Sequence, residues 1–256
     1  MRFPPLRFPK RFPKEFPAPM GESSSPAADF PFSEYTGATG WWDVSDIDTL
    51  WQDAGVTPVT ANNDPLYRMD DKIGLAGNRY MDRDTGDYVY LTNQQNGLPM
   101  ARKPGAQKFA SLAISNFISA SEAFLFIVFT PNSPSTGEVF FQDASGYFGM
   151  FHNANNKAQL RNYVPPYGYS DEVDVASGQA VLLTAWHAGG VVYMQKNGET
   201  VVAGDASGNT QVLTGNLEIF RTNGGNSLVG EAGIANQYDE DEKNSLVASL
   251  LTKWGI

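Results

Sequence analysis

Apolar runs separated by short polar turns fill the second half of the chain, and this pattern predicts β-strands. The run AFLFIVFTP at residues 123–131 is almost continuously apolar and predicts a buried strand. GEVFFQDASGYFGMFHNANN predicts a hairpin that turns at Ala144-Ser145-Gly146. QAVLLTAWHAG and GVVYMQKNGETVVAG predict a further pair of strands, and Asn197-Gly198 is a strong hairpin signal inside the second piece. TGNLEIFRTNG predicts one more strand.

Two segments have helical spacing instead. YDEDEKNSLVASLLTKWGI begins with acidic residues, carries Lys253 near its end and has Gly255 as a C-cap, as a stable helix should. Its apolar face consists of Leu246, Val247, Leu250, Leu251 and Trp254. Near the start, Ile47, Leu50 and Trp51 are spaced i, i+3, i+4, which predicts a short helix that ends near Gly55, with Ser45 and Asp48 in capping-box spacing.

The order of these elements predicts an all-β fold. Many short strands with turn signals, together with two short helices, are typical of a β-sandwich or jelly roll. We expect one such domain over residues 37–256, with loops through DPLYRMDDKIGLAGNRYMDRDTGDYVYL because Gly, Asn and Asp interrupt that stretch.

The first 36 residues form a separate segment, predicted to be an extended arm and linker. Three Arg-Phe-Pro units and one Glu-Phe-Pro unit fall within the first seventeen residues. Each Phe precedes a proline, which favours extended or polyproline-II backbone and excludes an ordinary helix. GESSSPAAD follows as a flexible linker. The alternatives are a disordered tail and an arm that orders on a partner; the four aromatic side chains favour the second, since disordered segments are poor in aromatic residues.

Charge separates the arm from the rest of the chain. Residues 1–20 carry five basic groups against Glu15, a net charge of +4, while the whole chain carries −10 and the remainder therefore −14. An acidic domain of this kind argues against nucleic-acid binding and permits its basic arm to dock on a neighbouring copy. The longest apolar run is too short to span a membrane, and the proline-rich start does not resemble a secretory signal. The chain has no cysteine.

Four segments together resemble concanavalin A-like (laminin G-like) jelly-roll domains of tailed-bacteriophage virion structural proteins. They are WWDVSDIDTLWQDAGVTPVTANNDPLYRMDDKIG, NQQNGLP, VVYMQKNGETV and LVGEAGIANQYDEDEKNSLVASLLTKWG. The resemblance spans about residues 40–256 and excludes the arm. Where the family commonly continues with Arg-Phe-Asp-Gly after the Asn-Gly-x-Pro step, this chain has Lys103-Pro104-Gly105, so a role tied to that aspartate is not carried over.

The carboxylates do not match the catalytic pattern of the glycosidases that share this jelly roll. The resemblance to laminarinase-type enzymes implies Glu-x-Asp-x-x-Glu on one strand, whereas EVDVAS supplies Glu172 and Asp174 but Ser177 in the third position. Loss of the acid/base removes most of such catalysis, so we expect no enzyme. His152 and His187 lack the spacing of a zinc site.

Three loops are candidate binding sites. Because this fold often holds calcium on rim loops, MDRDTGD, with Asp82, Asp84 and Asp87, is a candidate calcium site, as is HNANN, and ordinary turn chemistry is the alternative. NYVPPYGYSDE presents three tyrosines beside an acid and predicts either a protein interface or a glycan site. Its residues are Tyr163, Tyr167, Tyr169 and Asp171.

Together these features predict a non-enzymatic virion structural protein: a capsid-decorating, fibre or tail-accessory subunit. We expect a homo-oligomer without a required cofactor that binds other virion proteins through its arm. The arm's contact residues would be Arg2, Phe3, Arg7, Phe8, Arg11, Phe12, Lys14 and Phe16. The alternative is a lectin-like module that recognises a host surface glycan.

Overall fold

The computed structural model describes residues 30–74, 79–83, 88–102, 109–113, 122–131, 138–143, 148–152, 155–162, 168–205, 216–221 and 226–256. The arm residues up to Phe16, the Ala144-Ser145-Gly146 turn, Asp84, Asp87, Tyr163 and Tyr167 lie outside this part of the chain. None of the described helices is long and apolar enough to span a membrane.

The described residues form nineteen strands and one α-helix, so the predicted all-β fold is confirmed. The elements are β1 (Ala38–Asp43), β2 (Leu50–Trp51), β3 (Pro65–Leu66), β4 (Arg68–Asp70), β5 (Tyr80–Arg83), β6 (Tyr88–Gln95), β7 (Leu98–Arg102), β8 (Phe109–Ala113), β9 (Ala123–Thr130), β10 (Glu138–Asp143), β11 (Phe148–His152), β12 (Lys157–Asn162), β13 (Gly168–Tyr169), β14 (Val173–Asp174), β15 (Val181–Ala188), β16 (Val191–Lys196), β17 (Val202–Asp205), β18 (Asn216–Arg221), β19 (Leu228–Ala235) and α1 (Glu240–Trp254).

These strands build two antiparallel sheets. In the first sheet the order is β17-β16-β15-β9-β19-β7-β6-β3, and β1 pairs with β19 beyond the end of β7. In the second sheet the order is β13-β12-β11-β10-β18-β8-β5-β4-β2, and β14 pairs with β12. The two sheets face each other across one apolar core, as in a β-sandwich.

Strand β9 lies at the centre of the first sheet, and both of its faces are buried. Leu125, Ile127 and Phe129 point into the core between the sheets, against residues such as Met150 and Ile219 of the second sheet. The alternate residues Phe124, Phe126 and Val128 belong to a second apolar cluster on the outer face. Burial on both faces explains why this strand is apolar throughout instead of alternating.

Helix α1 covers that outer face. Leu246, Leu250 and Trp254 are buried in the same cluster as the outer residues of β9 and β15. The carboxylate of Asp239 caps the helix start by accepting from the backbone N–H of Glu242 at 2.9 Å. Gly255 ends it in the left-handed region at φ 63°. The predicted helix and its C-cap are confirmed.

The chain segment before β1 packs onto the same face. Phe32, in a 3-10 turn at Phe32–Glu34, is 1% exposed and makes an edge contact with Phe126 at 4.9 Å between ring centroids. Tyr35 stacks on Phe124 at 4.8 Å. Gly233 leaves the space that the rings of Phe32 and Phe126 occupy, since a Cβ there would lie 2.7 Å from the Phe32 ring. Residues 30–35 of the predicted arm-and-linker segment are therefore part of the folded body.

The predicted hairpin turn at Asn197-Gly198 is confirmed, and a second Asn-Gly turn lies between β6 and β7. Asn197 and Gly198 both have positive φ and connect β16 to β17. Asn96 and Gly97 do the same between β6 and β7, in the NQQNGLP segment. The strands on either side of the predicted Ala144-Ser145-Gly146 turn, β10 and β11, pair antiparallel.

Two local predictions need correction. The short helix near the start is a single 3-10 turn at Ile47–Thr49, because Leu50 and Trp51 continue as β2 and pair with β4. Ser45 does not cap it; its hydroxyl donates to Asp43 at 2.6 Å.

The stretch from Asp64 to Leu91 was predicted as loops and instead contains β3, β4, β5 and the start of β6. Pairing with β2, β6 and β8 stabilises these short strands, and local sequence does not reveal such pairing.

Candidate functional site

The outer face of the second sheet carries a continuous row of cross-strand neighbours, one from each strand of its main path. The row, here called the cross-sheet row, consists of Tyr169, Arg161, Gly149, Gln142, Glu218, Ala110, Asp82, Arg68 and Trp51. With strands about 4.8 Å apart, eight steps make a row about 38 Å long. Such a row is long enough for an extended ligand.

Strand alternation puts this row on the outside. Eight of its nine members are chain neighbours of core residues: for example, Glu218 stands between Leu217 and Ile219, and Asp82 follows Met81. Since successive side chains point to opposite faces, a residue next to a core residue points away from the core. The described α-helix packs on the other sheet, so it does not cover the row.

The centre of the row is polar and recessed. Gln142 and Glu218 are each 4% exposed, and the Gln142 side-chain amide donates to the Glu218 carboxylate at 2.5 Å. The smallest residues of the row stand on either side, Gly149 beside Gln142 and Ala110 beside Glu218. At Gly149 a Cβ would lie 3.0 Å from the Gln142 Cβ, so only glycine fits there.

One end of the row combines an indole, an arginine and two carboxylates. The Trp51 indole N–H donates to Asp70 at 2.8 Å, and the Arg68 guanidinium donates to the other oxygen of Asp70 at 2.6 Å. Arg68 also lies 3.8 Å above the Tyr80 ring. These contacts hold planar polar and aromatic surfaces in place at partly exposed positions.

Asp82 lies between this end and the centre. One of its carboxylate oxygens is buried without a hydrogen-bond partner among the described residues. Burial raises the pKa of Asp82, the Arg68 guanidinium opposes the rise, and the charge of Asp70 adds to it. A buried acceptor without a partner is unusual in a folded protein, and it marks Asp82 as a candidate for a functional role.

The other end repeats the chemistry of the first. Arg161 lies 5.0 Å from the Phe151 ring centroid and donates to Gln159 at 2.9 Å. Tyr169, its cross-strand neighbour on β13, is 38% exposed and is one of few large apolar side chains with that much exposure in the described chain. An aromatic surface beside a guanidinium group therefore exists at both ends.

Only some of the predicted site residues lie on the cross-sheet row. Tyr169 belongs to the row, and Asp171, two residues later, is exposed. Asp82 lies on the paired strand β5 and is a member of the row, while Asp84 and Asp87 of the candidate calcium site lie outside the described residues. Within the described residues, no group of three or more candidate ligands is placed to hold a metal ion. Glu172 and Asp174 lie at an exposed sheet edge, where Asp174 pairs with Lys157 at 2.5 Å.

Sequence reasoning did not find most of the row. Gln142, Glu218, Asp82, Arg68 and Arg161 each lie in a segment where polar residues alternate with apolar ones, as in RMD, YMDR and KAQLRN. That alternation identifies each as an outward-facing residue. It does not reveal which outward-facing residues of distant strands become neighbours.

A second polar cluster lies on the opposite side of the sandwich, where α1 ends. Asp43 and Glu231 stand directly opposite each other on β1 and β19. Like charges in that position repel, and Lys253 from α1 bridges them, with its Nζ 2.9 Å from Asp43 and 2.7 Å from Glu231. Glu231 also accepts from the indoles of Trp41 and Trp254, at 2.8 and 2.9 Å. These contacts attach the helix end to the first sheet.

The two carboxyl groups of this cluster respond differently to it. Burial disfavours the charge on Asp43, but Lys253, the Ser45 hydroxyl and Lys72 outweigh burial and hold its pKa below the ordinary value. Burial raises the pKa of Glu231, and the facing Asp43 adds to the rise against the pull of Lys253. Burial opposes the charge on Lys253 too, yet Glu231 and Asp43 raise its pKa above the ordinary value.

Comparison with solved structures agrees with the sandwich. The binding domain of botulinum neurotoxin serotype C1 superposes with a TM-score of 0.58 at 11% identity, over 86% of this chain and 53% of that chain. Domain 4 of AbnA, a GH43 extracellular arabinanase from Geobacillus stearothermophilus, in complex with arabinotriose, gives 0.57 at 13% identity, over 83% of this chain and 98% of that one. Trypanosoma rangeli sialidase gives a TM-score of 0.55 at 10% identity, over 84% of this chain and 33% of that chain.

These likenesses concern the fold alone, because the identities are low. This chain spans about a third of the sialidase and about half of the neurotoxin domain. No protein-family model matches the sequence, and no curated protein sequence matches it.

Proposed function

We propose that this protein is a glycan-binding β-sandwich whose ligand lies along the cross-sheet row. The observation that carries the proposal is the row itself: a recessed amide–carboxylate pair at the centre, with aromatic rings and guanidinium groups towards both ends. Sugars present hydroxyl groups along their edges and C–H surfaces on their faces. Planar polar side chains hydrogen-bond to the hydroxyl groups, and aromatic rings pack against the C–H faces.

The structural neighbours support this choice over the other predicted functions. The arabinanase domain was solved with arabinotriose, and the type C neurotoxin depends on two ganglioside molecules for cell entry. The length of the row suits a linear oligosaccharide of several units laid across the strands. Asp82 and Glu218 would accept hydrogen bonds from its hydroxyl groups, while Arg68 and Arg161 would donate.

Binding without hydrolysis is the form of the proposal that the residues favour. The strand sequence EVDVAS lacks the third acid of the laminarinase pattern, and Asp174 is paired with Lys157 at an exposed edge. Incubation with any glycan that binds should therefore release no reducing ends.

The virion structural role stays a proposal that rests on the sequence. The Phe-Pro arm and the resemblance to tailed-bacteriophage proteins support it, and a glycan-binding domain attached to a virion by such an arm is compatible with both. The arm would bind other virion proteins and leave the cross-sheet row open to a host surface glycan.

The proposed function is tested by a glycan array followed by calorimetry with the best ligand. We expect saturable binding to a linear glycan, and a loss of about tenfold in affinity for Asp82→Asn, which replaces a charged acceptor with a neutral one, and for Tyr169→Ala, which removes an aromatic ring from the row. Asp174→Asn, a change of the same kind at the exposed edge, is the matched control and should bind as the unchanged protein does. Absence of saturable binding to any sugar would refute the function; full affinity in both row variants would refute the site.

A further inference from the structure

One end of the cross-sheet row contains a hydrogen-bond donor and an acceptor that the described residues leave unused. They belong to Arg68 on β4 and Asp82 on β5, which are direct cross-strand neighbours. The Cβ atoms of such neighbours lie about 4.5–5.5 Å apart on one face of the sheet, so both side chains reach the same ligand position. The pair is here called the Arg68–Asp82 subsite.

The Arg68 guanidinium is held on three sides. Its Nε donates to Asp70 at 2.6 Å, its Nη1 donates to the backbone carbonyl of Ala54 at 2.9 Å, and its Cζ lies 3.8 Å from the Tyr80 ring centroid. Gly55 packs against it so closely that a Cβ there would lie 2.7 Å from Nη1. The remaining nitrogen, Nη2, is neither buried nor hydrogen-bonded within the described chain, and the side chain is 17% exposed.

The loop after β2 keeps the Ala54 carbonyl in position. The carboxylate of Asp53 accepts from the backbone N–H groups of residues 55–57, at 2.7 to 3.1 Å, and from the Thr57 hydroxyl at 2.5 Å. The guanidinium is therefore oriented before a ligand arrives, which lowers the entropy that binding must remove.

Asp82 supplies the unused acceptor. None of the described residues donates a hydrogen bond to its carboxylate, and Arg68 forms no ion pair with it. One carboxylate oxygen is buried, and the other reaches the surface because Asp82 is only partly buried. Polar groups in such places usually have a partner, and a ligand atom at the outer oxygen would supply one.

The charges at this end disfavour an acidic ligand. Asp70 already compensates Arg68, and the two charges that act on Asp82 are those of Arg68 and Asp70. One guanidinium and two carboxylates leave a net charge of −1. A sugar carboxylate or sulfate would meet this excess negative charge. A hydroxyl group is neutral, and it is able to accept from Nη2 and to donate to the Asp82 carboxylate at the same time.

We propose, on the basis of the proposed function, that the Arg68–Asp82 subsite binds a neutral sugar unit and excludes acidic ones. One hydroxyl oxygen of that unit accepts from Arg68 Nη2, and its hydrogen is donated to the outer oxygen of Asp82. Trp51, the next member of the row, is partly exposed and provides an aromatic surface beside the unit. The oligosaccharide on the row therefore has no carboxylate or sulfate at this end.

Calorimetry with two ligands that differ only in charge tests the proposal. The neutral probe is the oligosaccharide that the glycan array identifies, and the acidic probe is its form oxidised at the primary hydroxyl groups, where –CH₂OH becomes –COO⁻. If the array identifies an acidic ligand, its carboxyl-reduced form is the neutral probe. At about 150 mM salt, which screens the distant charges of the acidic body, the neutral probe should bind at least about tenfold more tightly. Equal or tighter binding of the acidic probe would overturn the proposal and leave the proposed function intact.

Two variants separate the subsite from the overall charge of the body. Asp82→Asn keeps the shape and removes the repulsion, so the neutral probe should lose about tenfold in affinity while the acidic probe binds at least as tightly as before. Asp174→Asn removes one charge at the exposed edge and is the matched control, so the ratio of the two affinities should not change. An unchanged ratio in Asp82→Asn would also overturn the proposal. Failure of both probes to bind saturably would instead refute the proposed function, and the subsite with it.

Discussion

Replacing Lys253 with methionine should destabilise the fold strongly, because its ammonium group bridges two buried carboxylates. It lies 2.9 Å from Asp43 and 2.7 Å from Glu231, whose side chains are 3% and 2% exposed. Removing one partner of a buried pair costs about 3–5 kcal/mol. The loss should lie near the lower end, about 3 kcal/mol, because Lys72 still reaches Asp43 at 3.2 Å and two indoles still donate to Glu231. Typical domains have only about 5–15 kcal/mol of stability, so the effect is large.

Urea unfolding of Lys253→Met at several pH values measures both the size and the cause of this loss. The folded pKa of Glu231 is raised above its unfolded value of 4.5, so the folded state binds more protons and stability falls as pH rises from 4.5 towards the folded pKa. Without the ammonium group that rise in pKa becomes larger. The variant should therefore lose more stability at neutral pH than at pH values below 4.5.

Asp43 contributes with the opposite sign. Its folded pKa is lowered from 3.8, so its contribution is present above 3.8 and is lost only as pH falls through the lower folded value. Lys196→Met is the matched control, since that lysine pairs at 3.4 Å with the exposed Glu199 and should cost less than about 1 kcal/mol. A loss of that small size in Lys253→Met, or a loss that is the same below pH 4.5 as at neutral pH, would refute the electrostatic explanation.

Two further changes test how the helix side is built. In Gly233→Ala the new Cβ would lie 2.1 Å from the Phe126 ring and 2.7 Å from Phe32, so we expect a loss of about 1–3 kcal/mol, and an unchanged urea midpoint would contradict this packing. Asp239→Ala removes the carboxylate that caps α1 and should cost about 0.5–2 kcal/mol in thermal or urea unfolding, whereas Asp239→Asn should retain most of the stability; an unchanged stability of Asp239→Ala would mean that the cap contributes nothing.

Local sequence was sufficient where neighbours along the chain determine the structure. The apolar run of β9, the Asn197-Gly198 turn and the capped helix α1 were all predicted, because alternation, positive φ and helix capping act over a few residues. Leu50 and Trp51 were predicted to be helical from their spacing. They lie in β2 because pairing with β4 outweighs a weak local preference.

The candidate site could not be predicted in the same way. Glu218, Ala110 and Asp82 are neighbours on three adjacent strands although they are far apart in the sequence. Alternation within each strand shows only that such residues point outward. Lys253 likewise meets Asp43 across a separation of 210 residues.

The sequence by itself thus determined the all-β character, most individual strands, the closing helix and the contrast between a basic Phe-Pro arm and an acidic body. Only the tertiary structure decided which outward-facing residues form one row across the second sheet, and which buried charges compensate each other beneath α1. The physical reason is that strand propensity and side-chain direction arise from short-range sterics, whereas the order and register of strands depend on burying the whole apolar core at once.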